Sequence, residues 1–200
     1  MCFVLTDQRP SGVDQKQLLS GGGCSLTVNP LVVTRPFSSM PITPFHFGLG
    51  ALAKAVGRDK FSFLVFAGSQ VLMDIEPGVR MFNHSDILHG PSHTIIGALV
   101  IGTIAMLIGK PISEFAIRLF SPSKASISWK ASWAGAFTGT LSHIVLDSFM
   151  HSDMRPLSPF SDANSLLGMV SLEWLHLGLV ISGFVGLVFI GYFRVKKRDV

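Results

Sequence analysis

The chain of 200 residues is rich in apolar and poor in charged side chains: 48% are hydrophobic and 14% are charged, against roughly 25% in a typical soluble domain. Mean hydropathy is +0.49, and 16 Phe and 20 Gly accompany a single Tyr. These values argue against a disordered chain, a disulfide scaffold and an ordinary cytosolic enzyme. They predict an integral membrane protein, in which Gly is tolerated inside helices.

The N-terminal 39 residues differ from the rest of the chain. They are rich in polar residues, Gly and Pro, include a Gly run at 21–23, and contain only short apolar stretches. We expect residues 1–39 to be a disordered extension, and Met40 to be the natural start because an apolar segment follows it directly. Cys2 and Cys24 both lie in this extension, away from the histidines, so a cysteine-based zinc or redox site is not expected.

From Met40 onward, apolar runs alternate with short polar segments. A spanning helix needs about 20 apolar residues; the last three runs reach this length and the first two are shorter. We predict an all-α membrane protein of about five transmembrane helices, the first two short. Their ranges are 40–53, 61–73, 91–109, 131–150 and 174–193.

Residues 112–120, between the third and fourth runs, have the pattern of a short amphipathic helix, which we expect to lie on the membrane surface. The helical membrane domain then covers residues 40–194. Residues 195–200 form a basic tail, expected in the cytoplasm.

Lys and Arg are unevenly distributed between the loops. The loops after the first, third and fifth runs hold eleven basic residues, whereas the opposite loops hold only Arg80 and Arg155. The positive-inside rule therefore places the three basic loops in the cytoplasm. The net charge of +4 is accordingly an orientation signal, and the sequence has no basic patch or motif for nucleic acid.

With alternating helix direction, nine His, Asp and Glu residues fall on the non-cytoplasmic side. They are His46, Asp74, Glu76, His89, His93, His143, Asp147, His151 and Asp153. Residues 143, 147 and 151 share one helix face, because each step of four residues rotates by about 40°. A carboxylate central in a span costs about 2.5–3.5 kcal/mol and needs a partner, a wet cavity or a cation. We favour a metal site over a hydrogen-bonded helix contact.

His89 and His93 flank Pro91, which suits the first turn of a helix and not its middle. We therefore expect His89 in a loop and His93 in the first helical turn. Imidazole and carboxylate ligands suit Zn²⁺, Mn²⁺ or Fe²⁺, and there are more candidates than the three ligands of a catalytic zinc. Either two metals bind, or the additional groups orient ligands and supply a general base, for which Glu76 is the candidate.

Five motifs follow one another along the chain. They are His46, the acidic pair Asp74 and Glu76, HGPSH at 89–93, His143 with Asp147, and PFS at 159–161. In this order they resemble, from Met40 to about residue 193, the small membrane-bound, predicted metal-dependent hydrolases, a family related to an SOS-regulated bacterial inner-membrane protein. The resemblance implies a bacterial inner-membrane location and metal-dependent hydrolysis.

We predict a membrane-embedded hydrolase that uses a metal-activated water on a lipid-linked or phosphorylated substrate, with zinc as the first-choice metal and membrane lipid as partner. The alternatives are a divalent-cation carrier or binding protein that uses the same residues, and a structural membrane protein with a polar helix contact. The predicted metal ligands are His46, Asp74, His89, His93, His143 and Asp147.

The distribution of basic residues generates a test of orientation. Residues 77–90 and 151–171 should face away from the cytoplasm, and residue 200 should face it. Reporter fusions after Asp153 and after Val200 are expected to give opposite signals. Equal signals would contradict the orientation and the clustering argument that depends on it.

Overall fold

The computed structural model describes residues 45–121 and 126–196. The predicted extension at 1–39 and the last four residues of the predicted tail lie outside the described residues. The described part of the chain forms five α-helices and two short 3-10 turns, with no β-strand. They are α1 (His46–Gly57), a turn (Arg58–Lys60), α2 (Phe63–Phe82), a turn (Pro91–His93), α3 (Ile95–Phe120), α4 (Trp129–Met150) and α5 (Leu172–Lys196).

Side-chain caps define the starts of three helices. Ser62, Thr94 and Ser128 immediately precede α2, α3 and α4, and each hydroxyl accepts a hydrogen bond from the backbone N–H three residues further on. Ser and Thr are favoured at this position because the first N–H groups of a helix have no partner within the helix.

The helices α3 and α5 are long and apolar enough to cross a membrane, each with a mean hydropathy of 2.0 over its most apolar window. Within the described ranges these two helices meet that criterion, fewer than the five spans predicted. The helix α1 has only 12 residues, and α2 includes Asp74, Glu76 and Arg80. The prediction of an all-helical fold is confirmed, whereas only two of the about five predicted transmembrane helices meet the criterion within the described residues.

The helix α4 is the third that fails the criterion, and its packing gives the reason. It packs against both α2 and α3, whereas α1 packs chiefly against α5. Eleven residues of α4 are buried, many of them Gly, Ala, Ser or Thr. A side chain at Gly135 would collide with the backbone oxygen of Ser62, and one at Gly139 would collide with Ser69. Close backbone approach to α2 thus requires small residues, and these lower the hydropathy of α4.

The second predicted span ends later than expected. Helix α2 continues beyond Met73 to Phe82, so Asp74 and Glu76 lie inside the helix, and residues 77–82 are helical and not part of a loop. Pro77 lies within it, where a proline removes a backbone hydrogen bond. Glu76 and Arg80 form an ion pair of 2.8 Å across the proline, which supports the helix on both sides of it.

The predicted surface helix at 112–120 is not a separate element. It is the last part of α3, which passes through Pro111 without a break. Lys110 and Glu114 form an ion pair of 2.5 Å across this proline, as Glu76 and Arg80 do across Pro77. Glu114 also accepts a hydrogen bond from the backbone N–H of Ile127, which joins the end of α3 to the segment before α4.

The close contact of α4 with α2 gives a test of the packing. Gly135→Ala should destabilise the protein by about 1–3 kcal/mol, because the backbone of α2 must move to admit the methyl group. Thermal unfolding in detergent measures the effect. Gly68→Ala is the matched control, since an added Cβ there meets no atom within 4 Å. Equal melting temperatures for the two variants would contradict this account.

Candidate metal centre

The structure brings the six predicted ligands together at one end of the helices. They come from five places in the chain: His46 begins α1, Asp74 lies in α2, His89 lies in the loop after α2, His93 ends the 3-10 turn before α3, and His143 and Asp147 lie in the last two turns of α4. His89 is in a loop, as expected. His93 lies one residue before the N-cap of α3 and not in the first turn of the α-helix.

Asp147 is the centre of the cluster. Its carboxylate oxygens lie 3.1 Å from His143 Nε2, 3.5 Å from His93 Nε2, 3.6 Å from His46 Nε2 and 4.0 Å from His89 Nε2. The carboxylate and these four imidazoles are buried. Asp74, whose Oδ1 lies 3.3 Å from His143 Nε2, has a side chain that is 26% exposed. The cluster is therefore open to the protein surface on the side of Asp74.

Several of the donor atoms are buried without a hydrogen-bond partner among the described residues. They are both oxygens of Asp147, Nε2 of His93, Nε2 of His143 and Nδ1 of His46. The imidazole Nε2 atoms lie 3.1–4.0 Å from Asp147, within ion-pair distance, but none of these contacts has the geometry of a hydrogen bond. A buried polar group without a partner costs about 1–3 kcal/mol. A divalent cation would supply the missing partner to the oxygens and to both Nε2 atoms, so the donor set fits a metal.

Three of the imidazoles are oriented through their second nitrogen. Nδ1 of His143 donates to Gln70 Oε1 at 2.5 Å, and Nδ1 of His89 donates to Asp153 Oδ1 at 2.9 Å. His93 Nδ1 is 2.8 Å from the hydroxyl of Ser92. Because an engaged Nδ1–H leaves the lone pair on Nε2, all three rings present a ligating atom towards Asp147.

The Ser92 hydroxyl belongs to a chain of hydrogen bonds that ends at Glu76. The Glu76 carboxylate accepts from this hydroxyl and, at 2.8 Å, from the backbone N–H of Ser92, while its other oxygen pairs with Arg80. A side chain at Gly90 would collide with both Glu76 and Arg80, so this chain needs glycine there. Glu76 itself belongs to none of the ligand groups in the described ranges. Its predicted role as general base stays a prediction.

Asp153 has a role that the sequence did not reveal. It accepts hydrogen bonds from the backbone N–H groups of Leu88 and His89 as well as from the His89 ring. Burial alone would raise the pKa of its carboxyl, but the hydrogen bonds from His89 and Leu88 hold the pKa below its usual value. Asp153 is therefore a charged acceptor that fixes both the loop and the ring of His89. Gln70 was also missed, since a neutral amide in an apolar run carries no ligand signal.

His151 does not extend the stripe of His143 and Asp147, which corrects the predicted shared face. It follows the last residue of α4 in extended backbone, and its ring lies 4.5 Å from that of His89. His89, His151 and Asp153 form a further group with donor atoms within 4.8 Å. That group requires a nitrogen of His89, but Nδ1 of this ring is already bonded to Asp153 and Nε2 faces Asp147.

The fold and this cluster define a class: a helical membrane protein with a buried imidazole and carboxylate centre. The sequence pattern of the YdjM inner membrane protein family matches residues 40–198, and the chain belongs to this family. The match confirms the resemblance to an inner-membrane family and the membrane setting. No curated protein and no solved structure matches the chain.

The hydrogen-bond chain at His93 gives a test of ring orientation. Ser92→Ala should weaken metal binding about 10–100-fold, because His93 Nδ1 loses the group that orients it. Titration of the detergent-purified protein with Zn²⁺ measures the change. Ser182→Ala is the control, since it removes a hydroxyl that bonds only within α5. An unchanged affinity in Ser92→Ala would show that the hydroxyl does not orient the ring.

Proposed function

We propose that the protein is a membrane-embedded, metal-dependent hydrolase. The observation that supports this most directly is the buried carboxylate of Asp147, which four imidazoles surround and whose two oxygens have no hydrogen-bond partner among the described residues. A divalent cation bound there supplies Lewis acidity and activates water for hydrolysis. Zinc suits the imidazole-rich donor set, and manganese and iron accept the same ligands.

The side chains around such a site have different roles. His46, His89, His93, His143 and Asp147 hold the cation in a region that excludes bulk water. Gln70, Ser92 and Asp153 keep three of the rings in position. Asp74 lies at the partly exposed edge of the cluster beside His143, where we propose that it contributes a further ligand and that water and substrate enter.

The position of the cluster favours hydrolysis over cation transport. A transport site is expected near the middle of the membrane, with access from both faces. Here the buried donors come from the first residue of α1, the segment before α3 and the last two turns of α4, and Asp74 alone comes from the middle of a helix, α2. A cluster at one end of the helices suits an amphiphilic substrate with its apolar part in the lipid and its head group at the metal. We therefore propose a lipid-linked or phosphorylated substrate, reached from the non-cytoplasmic side.

Glu76 acts in this proposal through Ser92 on His93, and not as the base predicted from the sequence. Three hydrogen-bond donors, from Arg80 and Ser92, stabilise its charged form and make it a weak proton acceptor. Glu76→Gln separates the two roles. If Glu76 is the general base, Glu76→Gln should retain metal and lose turnover. If Glu76 positions His93 through Ser92, Glu76→Gln should lose metal affinity, as Ser92→Ala should.

Metal analysis combined with a substrate screen tests the proposed function. The detergent-purified protein should contain a divalent metal and hydrolyse a lipid phosphoester in a panel of such substrates. Asp147→Ala and His143→Ala should abolish both properties while the protein still inserts. His176→Ala is the control, because that ring stacks on Phe45 and belongs to none of the ligand groups in the described ranges. A full metal complement in Asp147→Ala would contradict the proposal and favour a polar helix contact. Bound metal without hydrolysis would favour a carrier.

A further inference from the structure

We propose that the centre holds two divalent cations, with Asp147 as the carboxylate that bridges them. His46 and His143 bind one cation on the side of α1, and His89 and His93 bind the other on the side of the loop before α3. This inference rests on the metal binding of the proposed function, and it adds the number of cations and the role of each ligand.

The first argument for two cations is the way in which the donor atoms group around Asp147. His46, His143 and Asp147 offer three donor atoms within 4.8 Å of one another, and His89, His93 and Asp147 offer a second such set. Asp147 is the member that both sets share, and a third set of Asp74, His93 and His143 joins one histidine of each to Asp74. The rings follow the same division, since His46 contacts His143 edge to face at 4.9 Å and His89 contacts His93 at 4.8 Å between ring centroids.

The two oxygens of Asp147 face different histidines. Oδ1 is the oxygen nearest His46, and Oδ2 is the oxygen nearest His89, His93 and His143. Both oxygens are buried without a hydrogen-bond partner in the described part of the chain. A carboxylate that serves one cation through one oxygen usually has its other oxygen hydrogen-bonded. Two such oxygens, one facing His46 and the other facing the remaining imidazoles, suit a bridge between cations about 3.5–4 Å apart, with His143 within reach of the first.

The second argument for two cations is the number of protein ligands. Four imidazoles and two carboxylates surround the centre, whereas a catalytic zinc uses three protein ligands and leaves a position for water. Six protein ligands on one cation would leave no position for water. Divided between two cations, the same side chains give each about three protein ligands. His143 lies at the boundary, with Asp74 at 3.3 Å and the ring of His93 at 5.2 Å.

The metal-to-protein ratio of the full chain in detergent, loaded with Zn²⁺ and freed of excess metal, tests the inference. We expect about two zinc ions per chain in the wild type, about one in His46→Ala and in His89→Ala, and none in Asp147→Ala. His84→Asn, at an exposed histidine outside the ligand groups of the described residues, should keep two. Loading with Mn²⁺ gives a second readout: the wild type should show the electron paramagnetic resonance spectrum of a spin-coupled pair, and His46→Ala that of an isolated ion.

The outcomes separate this inference from the function on which it rests. One zinc per chain in the wild type, with an uncoupled Mn²⁺ spectrum, would overturn the two-cation centre and leave metal-dependent hydrolysis intact. Hydrolysis by a metal-free wild type would overturn both. The spectrum of the wild type needs no substitution, so it decides the question even where a variant fails to fold.

Discussion

A carboxylate that is completely enclosed by the protein is the constraint on which the rest of the structure depends. Burying a charge is strongly unfavourable unless it is paired and hydrogen-bonded. Within the described ranges the ion-pair partners of Asp147 are histidines. An imidazole compensates this charge only when it is protonated, and the same imidazoles could hold a metal ion. The start of α1, the loop before α3 and the end of α4 therefore meet at a carboxylate that a positive charge, on a protonated ring or a metal ion, would stabilise.

A second layer of side chains makes this arrangement specific. Asp153 binds both the backbone and the ring of His89, so the loop cannot shift without moving a ligand. Ser92 precedes His93 in sequence and connects it to Glu76 on a different helix. Gln70 lies one turn before Asp74 on α2 and reaches His143 on α4. Each of these three rings is thus tied to a second element of the fold, and its position depends on how the helices pack.

The sequence predicted the residue types and general location of the centre better than the elements that carry it. His143 and Asp147 share a helix face by spacing alone, and alternating helix direction brought distant histidines to one end. The ends of α2 and α3 were missed because the apolar runs end at residues 73 and 109, whereas both helices continue through Pro77 and Pro111 with an ion pair across each proline. Gln70 and Ser92 could not be identified, since only three-dimensional contact distinguishes an orienting amide or hydroxyl from any other.

The small-residue face of α4 has a consequence for the biogenesis of the protein. A segment rich in Gly, Ser and Thr, with a carboxylate in its last turns, has little tendency to partition into lipid by itself. Its insertion should therefore depend on α2 and α3 already being present to cover it. Since α4 contributes both Asp147 and His143, ligand sites would become available only after these helices have assembled. Metal acquisition would then be the last step of maturation, and it would report that the helices have associated correctly.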